Sequence, residues 1–235
     1  MRRNLIRAGA IYQSTSDTEV VLHLVAGSKK PKFVDRFIEA IMQLEGAYSF
    51  VGLTNKKLIG VRDPLGIRPL VLGELDGAYI LASETCALDI IGARFVRDIE
   101  NGEVVIISET GIESLKPFGV LPARPCIFEY IYFALPDSVM EGTPVYETRK
   151  RIGAELARES GVPADLIVPV PDSGVPAAMG GVGAGSRRIS HPNRPPITSR
   201  TVCSKIAGHS DCVNRTIAVK ASPRRPVRTI PDGPW

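Results

Sequence analysis

The chain has 235 residues, of which 44% are hydrophobic and 23% are charged, as is ordinary for a soluble globular protein of one large or two modest domains. No apolar run approaches the length needed to cross a bilayer, and no signal peptide is visible, so we expect no membrane association. The four cysteines have no close-paired spacing, which indicates a reducing compartment rather than a disulfide framework.

The charge is distributed unevenly along the chain. Residues 181–235 contain ten basic and two acidic residues, a net charge of +8. The other 180 residues contain 19 basic and 23 acidic ones, a net charge of −4. A mildly acidic body is therefore joined to a strongly basic tail.

Near the start of the chain, residues 5–11 predict the end of a helix, a glycine stop and a short strand. The apolar run Val20–Ala26 then predicts a helix. Ser16 and Glu19 have the spacing of a capping box, and Asp17 falls in the first turn, where the helix dipole favours a carboxylate. Helix capping is thus the simplest interpretation of Asp17.

A helix and a set of strands are predicted next. Apolar residues at helical spacing predict a helix over 32–45, and Gly46 ends it. Residues 47–84 predict three strands with short turns, two of them joined by Arg62-Asp63-Pro64-Leu65-Gly66-Ile67-Arg68-Pro69-Leu70. The two prolines make this connection rigid. A salt-bridged turn is the simplest interpretation of its charged residues, Arg62, Asp63 and Arg68.

Residues 85–115 continue the same pattern. They predict a short helix that Gly92 ends, then a strand, a turn, a second strand and a hairpin at 109–111. Cys86 lies on the apolar side of this helix and is interpreted as a small buried hydrophobic residue. Because the helices must cover the strands, the pattern predicts a layered sandwich.

Three segments together resemble one family. They read Glu-Gly-Ala-Tyr-Ser at 45–49, Arg-Asp-Pro-Leu-Gly-Ile-Arg-Pro-Leu at 62–70 and Ala-Ser-Glu-Thr-Cys-Ala-Leu-Asp at 82–89. These are similar to the glutaminase domain of the amidophosphoribosyltransferases, which are class II glutamine amidotransferases. The resemblance implies a mixed α+β and α/β protein, in which residues 1–120 form part of the α/β/β/α sandwich of N-terminal-nucleophile hydrolases.

The same resemblance assigns a role to one candidate site residue. Residues 13–19, Gln-Ser-Thr-Ser-Asp-Thr-Glu, match the family segment whose aspartate holds the α-amino group of the substrate glutamine. Asp17 is therefore expected to bind glutamine. The roles of Arg62, Asp63 and Arg68 stay open, since the resemblance marks them only as parts of a family-type motif.

Residues 121–146 are predicted to be a connector with one candidate metal ligand. A lone cysteine in an apolar segment is usually a packed side chain, which is one interpretation of Cys126. The run Cys-x-x-Glu-x-x-Tyr-Phe from Cys126 also resembles the family segment whose cysteine ligates a 4Fe-4S cluster. The resemblance thus implies an iron–sulfur ligand at this position, although some family members have no cluster.

Residues 147–180 predict the start of a second domain. A helix, a buried strand at 165–170, the loop Pro171-Asp172-Ser173-Gly174 and a further helix form the pattern of an anion site at a helix N-terminus. An ordinary strand-to-helix turn is the alternative. The segment resembles the pyrophosphate loop of a type I phosphoribosyltransferase α/β domain, which implies bound phosphoribosyl pyrophosphate and a Mg²⁺ ion beside Asp172.

The resemblance ends near Gly180. Residues 181–235 show no hydrophobic periodicity, and three interpretations compete: a disordered basic arm, a zinc site built from His191, Cys203, His209 and Cys212, or a shifted reading frame. We favour a non-native Arg/Pro-rich tail from a shifted frame, because the break falls inside a family motif.

The resemblance implies transfer of ammonia from glutamine to phosphoribosyl pyrophosphate, giving phosphoribosylamine in the first committed step of purine synthesis. The chain has no cysteine before Cys86 and no Asp-Asp phosphoribose loop, so we expect a fragment truncated at both ends and inactive alone. The intact parent is expected to be a homo-oligomer in the cytoplasm or a plastid. The alternative function is a non-enzymatic remnant whose basic tail binds nucleic acid.

Overall fold

A computed structural model describes residues 1–159, 169, 173–184 and 218–220. Pro171, Asp172, the predicted strand at 165–170 apart from Pro169, and most of the basic tail lie outside the described residues. In the described part, no helix is both long and apolar enough to cross a membrane.

Seven helical segments occur in this part of the chain. Their bounds are α1 Arg2–Arg7, α2 Glu19–Gly27, α3 Phe33–Ile41, α4 Thr85–Ile90, a π-helix Glu129–Phe133, α5 Val145–Glu159 and α6 Gly174–Ala184. The strands are β1 Ser49–Leu53, β2 Leu58–Arg62, β3 Val71–Leu75, β4 Ala78–Ala82, β5 Arg94–Asp98, β6 Val104–Ser108, β7 Gly111–Leu115, β8 Val139–Met140, β9 Thr143–Pro144 and β10 Ala218–Lys220.

Two four-stranded antiparallel sheets form the centre of the fold. The strand order is β1-β2-β6-β7 in the first sheet and β10-β4-β3-β5 in the second. The register of the first sheet pairs Phe50 with Val61 and Leu58 with Ile107. A β-bulge interrupts the pairing of β3 with β5 at Leu72 and Gly73.

Alternating apolar residues divide the core into layers. On β2 and β6 one set of side chains packs against α2 and α3, and the other set packs toward the second sheet. The first set comprises Ile59, Val61, Val104 and Ile106, with Val21, Phe37 and Ile41 from the helices. The second set comprises Leu58, Val105 and Ile107, with Leu70, Leu72, Leu81 and Ile99.

A third apolar layer covers the other face of the second sheet. Val71, Ile80 and Ala82 pack against Ala87 and Leu88 of α4. The close approach requires a glycine, because a Cβ at Gly73 would lie 2.5 Å from Leu88 Cδ2. The layers therefore run helix, sheet, sheet, helix, which is the sandwich that the resemblance implied.

Several details differ from the sequence predictions. Residues 47–84 contain four strands rather than three, because Asp76 and Gly77, a dipeptide typical of hairpin turns, adopt positive φ and separate β3 from β4. The short strand predicted after Gly9 is absent, since residues 10–12 have no regular structure. The expectation that no regular element continues after Gly180 is also wrong. Helix α6 runs on to Ala184, and β10 pairs with the edge of β4 through backbone bonds that need no apolar periodicity.

Candidate functional site

A cavity of about 1270 Å³ lies beside the family-type segments. Its wall is formed by residues from 1–5, from 17–24, from 43–51, from 68–70 and by Ser83. It brings Asp17 and Thr18 to the Glu-Gly-Ala-Tyr-Ser segment and to Arg68. Five separate stretches of the chain thus share one cavity.

Asp17 lies exposed in the cavity wall. The one hydrogen bond described for its carboxylate comes from Thr18 Oγ1 at 3.4 Å. Helix α2 begins after Thr18, and in the described chain no side chain caps it. The capping interpretation of Asp17 is therefore wrong, and its carboxylate faces the cavity with little hydrogen bonding of its own.

Glu19 fixes the segment beside Asp17 instead of closing a capping box with Ser16. Its carboxylate accepts hydrogen bonds from the Gln13 amide at 2.7 Å, the Ser14 amide at 2.9 Å and Ser14 Oγ at 2.6 Å. The Ser14 hydroxyl bond and the Gln13 amide bond, the two largest effects, help to lower the pKa of Glu19 to about 2. Residues 13–19 are thus held as a compact turn that presents Asp17.

Tyr48 and Phe50 form an aromatic part of the wall. Their rings stack with centroids 4.9 Å apart. Burial, with a smaller contribution from the Asp63 carboxylate, raises the pKa of Tyr48, so its phenol stays neutral. Tyr48 and Phe50 therefore contribute an uncharged, aromatic part of the cavity wall.

The connection 62–70 is organised by Asp63. This fully buried carboxylate accepts backbone N–H bonds from Leu65 at 3.1 Å, Ile67 at 3.0 Å and Arg68 at 2.9 Å. Gly66 has φ +64, and a Cβ there would lie 1.9 Å from Asn101 Oδ1, so the tight turn requires glycine. Asp63 therefore holds the backbone of the connection in its turn. The interpretation as a salt-bridged residue applies only to Arg62 and Arg68.

Both arginines of this connection reach distant parts of the chain. Arg62 is buried and donates to the carbonyl oxygens of Arg68, Ile99 and Gly66 at 2.8–2.9 Å. Its Nη2 also pairs with Glu141 Oε1 at 2.7 Å. Arg68 Nη1 lies 2.5 Å from Glu129 Oε1. Both ion pairs join the connection to residues 121–146.

Further contacts bind residues 121–146 to the sandwich. The amide of Arg124 donates to the Leu65 carbonyl at 2.8 Å, and the amide of Cys126 donates to the Ile67 carbonyl at 3.3 Å. Glu84, which is buried, accepts from the Leu135 amide at 2.7 Å and from Ser138 Oγ at 2.8 Å. We call the charged residues of this interface the docking cluster: Arg62, Arg68, Glu84, Glu129, Glu141 and Arg149.

Arg149 of α5 closes the docking cluster. Its buried guanidinium donates to the carbonyl oxygens of Tyr130 at 2.5 Å and Ala134 at 2.7 Å, at the end of the π-helix. Burial lowers the pKa of Arg149, and the Glu84 carboxylate opposes this change. The free carbonyls of a helix end are thereby satisfied by a side chain of the next helix.

The sequence analysis assigned no role to Glu84, Glu129, Glu141 or Arg149. Glu84 and Glu129 do fall within segments quoted for the resemblance. The sequence signal for such a residue is a carboxylate inside an apolar run, as Glu129 is between Phe128 and Tyr130. Such a residue is rarely buried without a partner, but its partner cannot be identified from local sequence.

The two cysteines of the described part have different environments. Cys86 is fully buried in α4, and its Sγ lies 3.7 Å from Glu84 Oε2, so the prediction of a packed thiol is confirmed. Cys126 is half-buried. Within residues 1–159, 169, 173–184 and 218–220, no cluster of three or more His, Cys, Asp or Glu could hold a metal ion. The described residues thus place Cys126 in no group of metal ligands. Its ligation of an iron–sulfur cluster stays a prediction.

The predicted pyrophosphate loop is described only at its end. Ser173 precedes α6 and Gly174 begins it, as expected for a loop at a helix N-terminus. Helix α6 packs tightly on α5. A Cβ on Gly153 would lie 1.9 Å from the Ala177 carbonyl oxygen, and one on Gly180 would lie 1.8 Å from that of Lys150.

Comparison with known proteins identifies the class of this site. Residues 1–89, which include Asp17 and most of the cavity wall, match a family model described as a glutamine amidotransferase domain. This part of the chain is therefore similar to the glutaminase class that the sequence indicated.

More specific relatives match a larger part of the chain. The chain is 60% identical over 185 residues to an amidophosphoribosyltransferase of Rhizobium etli, covering 77% of this chain and 37% of the relative. It is 54% identical over 173 residues to a chloroplastic amidophosphoribosyltransferase of Glycine max, covering 73% and 30%. The solved glutamine phosphoribosylpyrophosphate amidotransferase from B. subtilis, in a complex with ADP and GMP, superposes with a TM-score of 0.74 at 41% identity, covering 78% and 40%.

These matches confirm the resemblance to amidophosphoribosyltransferases. The resemblance covers only part of each relative, because the chain spans 30–40% of the length of these three relatives. The domain boundaries at 120, 146 and 180, and the site residues themselves, stay predictions.

Proposed function

We propose that this chain serves the glutaminase half of an amidophosphoribosyltransferase. In that reaction ammonia released from glutamine replaces the pyrophosphate of phosphoribosyl pyrophosphate, and phosphoribosylamine results as the first committed product of purine synthesis. The observation that carries the proposal is the shared cavity, which joins Asp17, residues 45–49, Arg68 and Ser83. Each comes from a different segment of the resemblance.

The electrostatics of the cavity suit an amino-acid substrate at Asp17. An exposed carboxylate that carries one long hydrogen bond retains most of its acceptor capacity for an ammonium group. The turn built by Glu19 fixes its position without occupying it. Asp17 is thus placed to hold the α-amino group of glutamine.

The second half of the reaction rests on fewer described residues. Ser173 and Gly174 stand at the N-terminus of the eleven-residue helix α6, where free backbone amides suit a phosphate group. With Asp172 they would hold the pyrophosphate of phosphoribosyl pyrophosphate, and a Mg²⁺ ion between them would neutralise its charge. The proposal also includes Cys126 as a ligand of a 4Fe-4S cluster. It further includes a homo-oligomeric state of the intact parent protein.

Substitution of Asp17 tests the glutamine site. The assay uses the Rhizobium etli enzyme in which the aligned residues of this chain replace its own. We expect Asp17→Asn to raise the KM for glutamine about 30-fold or more, since loss of a charged partner costs about 2 kcal/mol or more. Synthesis from free ammonia should be unchanged, because that substrate does not use the cavity.

The matched control is Asp89→Asn, which alters an exposed carboxylate at the far end of α4 and should leave both activities unchanged. An unchanged KM for glutamine in Asp17→Asn would contradict the assignment of the cavity. A chimaera inactive even with ammonia would count against the phosphoribosyl half of the proposal.

A further inference from the structure

Arg68 takes part both in the cavity wall and in the contact with the π-helix. The residue lines the cavity together with residues 47–51. Its guanidinium forms the ion pair with Glu129 and lies over the ring of Phe133, 5.3 Å from the ring centroid. One residue therefore joins the cavity to the π-helix.

Glu129 is held in this interface by Arg68. Glu129 is 97% buried, and within the described part of the chain its Oε1 receives no aligned hydrogen bond, so the contact with Arg68 is an ion pair rather than a directed bond. Burial raises the pKa of Glu129, the Arg68 charge opposes this, and the Glu84 carboxylate adds to it. A buried carboxylate of this kind is costly without its cation.

The backbone of Glu129 is tied in the other direction. The carbonyl oxygens of Tyr130, in the same π-helix, and of Ala134, which directly follows it, accept from Arg149 of α5. The cavity wall, Arg68, Glu129, the π-helix and α5 are thus joined by consecutive polar contacts. Glu129 does not itself line the cavity.

We propose that Glu129 is a positioning residue for the cavity, acting through Arg68. By holding the guanidinium between the wall and the π-helix, it sets the position of the wall relative to α5. The identity of the cavity's ligand rests on the proposed function, whereas the positioning itself does not require any ligand.

The test measures hydrogen exchange by mass spectrometry on the full 235-residue chain. The peptides of interest cover residues 62–70 and 45–53, and no ligand is added. We expect Glu129→Gln to raise exchange in both peptides about ten-fold, because removing one partner of a buried charged pair leaves the other without its counter-charge and weakens the local structure. Arg68→Met should have the same effect, and Arg68→Lys, which keeps the charge, should restore most of the protection.

A control separates positioning from general loss of stability. Glu141→Gln removes the other ion pair of the docking cluster, on Arg62, and should raise exchange in β8 and β9 without changing residues 45–53. Unchanged exchange at 45–53 in Glu129→Gln would overturn the proposal. Equal increases in exchange at 45–53 in Glu129→Gln, Arg68→Lys and Glu141→Gln would also overturn the proposal. The effect would then not depend on whether the Arg68–Glu129 charge pair is kept.

Addition of L-glutamine to the same samples distinguishes this proposal from the proposed function. If Glu129→Gln loosens the wall but glutamine protects no peptide of the unaltered chain, the positioning role stands and the proposed ligand fails. If glutamine protects residues 45–53 while Glu129→Gln leaves the wall unchanged, the proposed ligand stands and the positioning role fails.

Discussion

Single carboxylates in this chain hold backbone segments in place. Asp63 accepts three amides of its own loop, and Glu84 accepts one amide and one hydroxyl from residues 135–138. Glu19 does the same for residues 13 and 14. Each satisfies donors that burial or a tight turn would otherwise leave without a partner. The exposed Asp17 differs from all three, which supports a role toward a ligand.

The pH dependence of the Glu19 turn follows from its hydrogen bonds. Because the pKa of Glu19 falls from 4.5 to about 2 in the folded chain, its stabilising contribution is fully present above pH 4.5. That contribution is lost as the pH falls from 4.5 toward 2, since protonation removes the charge that the amides bind. We expect exchange of the Gln13 and Ser14 amides, corrected for intrinsic rates, to rise across this interval.

An NMR titration of the Glu19 carboxyl, with amide exchange measured in parallel, checks this prediction. Glu19→Gln should show fast exchange at both amides already at pH 7 and no further change on acidification. A Glu19 carboxyl that titrates near its ordinary value would show that the turn does not depend on the charge.

At the scale of elements, close contacts at glycines decide how helices meet sheets and one another. The Leu88 side chain of α4 approaches Gly73 of β3, and the backbones of α5 and α6 approach each other at Gly153 and Gly180. Glycine in a helix interior costs about 1 kcal/mol relative to alanine. Two glycines where helices touch are therefore best explained by packing, which an added methyl group would prevent.

Alanine substitutions on the two helices test this packing. Gly153→Ala places a methyl group 1.9 Å from the Ala177 carbonyl oxygen, a backbone atom that cannot rotate away. We expect it to separate α5 from α6 and to lower the free energy of unfolding by about 2 kcal/mol or more, measured with urea. Gly181→Ala is the matched control, because its methyl group would meet its nearest atom at an ordinary 3.5 Å. It should be neutral or stabilising, and equal effects of the two changes would contradict the packing argument.

At the scale of the whole molecule, the docking cluster makes the sandwich and residues 121–146 one unit. The segment has several exposed apolar side chains, including Ile127, Phe128 and Tyr132, so apolar burial alone does not account for its position. Buried polar contacts of Arg62, Glu84 and Arg149 fix it instead. Such contacts specify one arrangement because a shifted one would leave charges buried and unpaired.

Loss of Glu84 should release the segment without unfolding the sandwich. In Glu84→Ala the Leu135 amide and the Ser138 hydroxyl lose their carboxylate, so we expect residues 134–142 to be cleaved at least about ten-fold faster by a nonspecific protease. The sandwich should resist for longer, and mass spectrometry of the products separates the two. Glu74→Ala breaks an exposed ion pair with Arg94 and should leave the cleavage rate unchanged. Faster cleavage throughout the sandwich in Glu84→Ala would indicate global unfolding and contradict this prediction.

The alternative function, a basic tail that binds nucleic acid, belongs to this scale as well. It rests on residues 181–235, of which the structure describes 181–184 and 218–220. The short strand Ala218–Lys220 pairs with β4 of the sandwich. The alternative and the shifted reading frame both stay predictions.

The sequence by itself determined the elements and the family, because both depend on local order along the chain. The hydrophobic pattern of residues 47–84 predicted strands, and the segments at 45–49, 62–70 and 82–89 carried the resemblance to the glutaminase domain of the amidophosphoribosyltransferases. The tertiary structure decided which charges meet. Arg68 and Glu129 are 61 positions apart and Arg62 and Glu141 are 79 positions apart, so no local pattern pairs them. Their contacts exist because the folded layers bring these residues together and exclude the water that would otherwise solvate their charges.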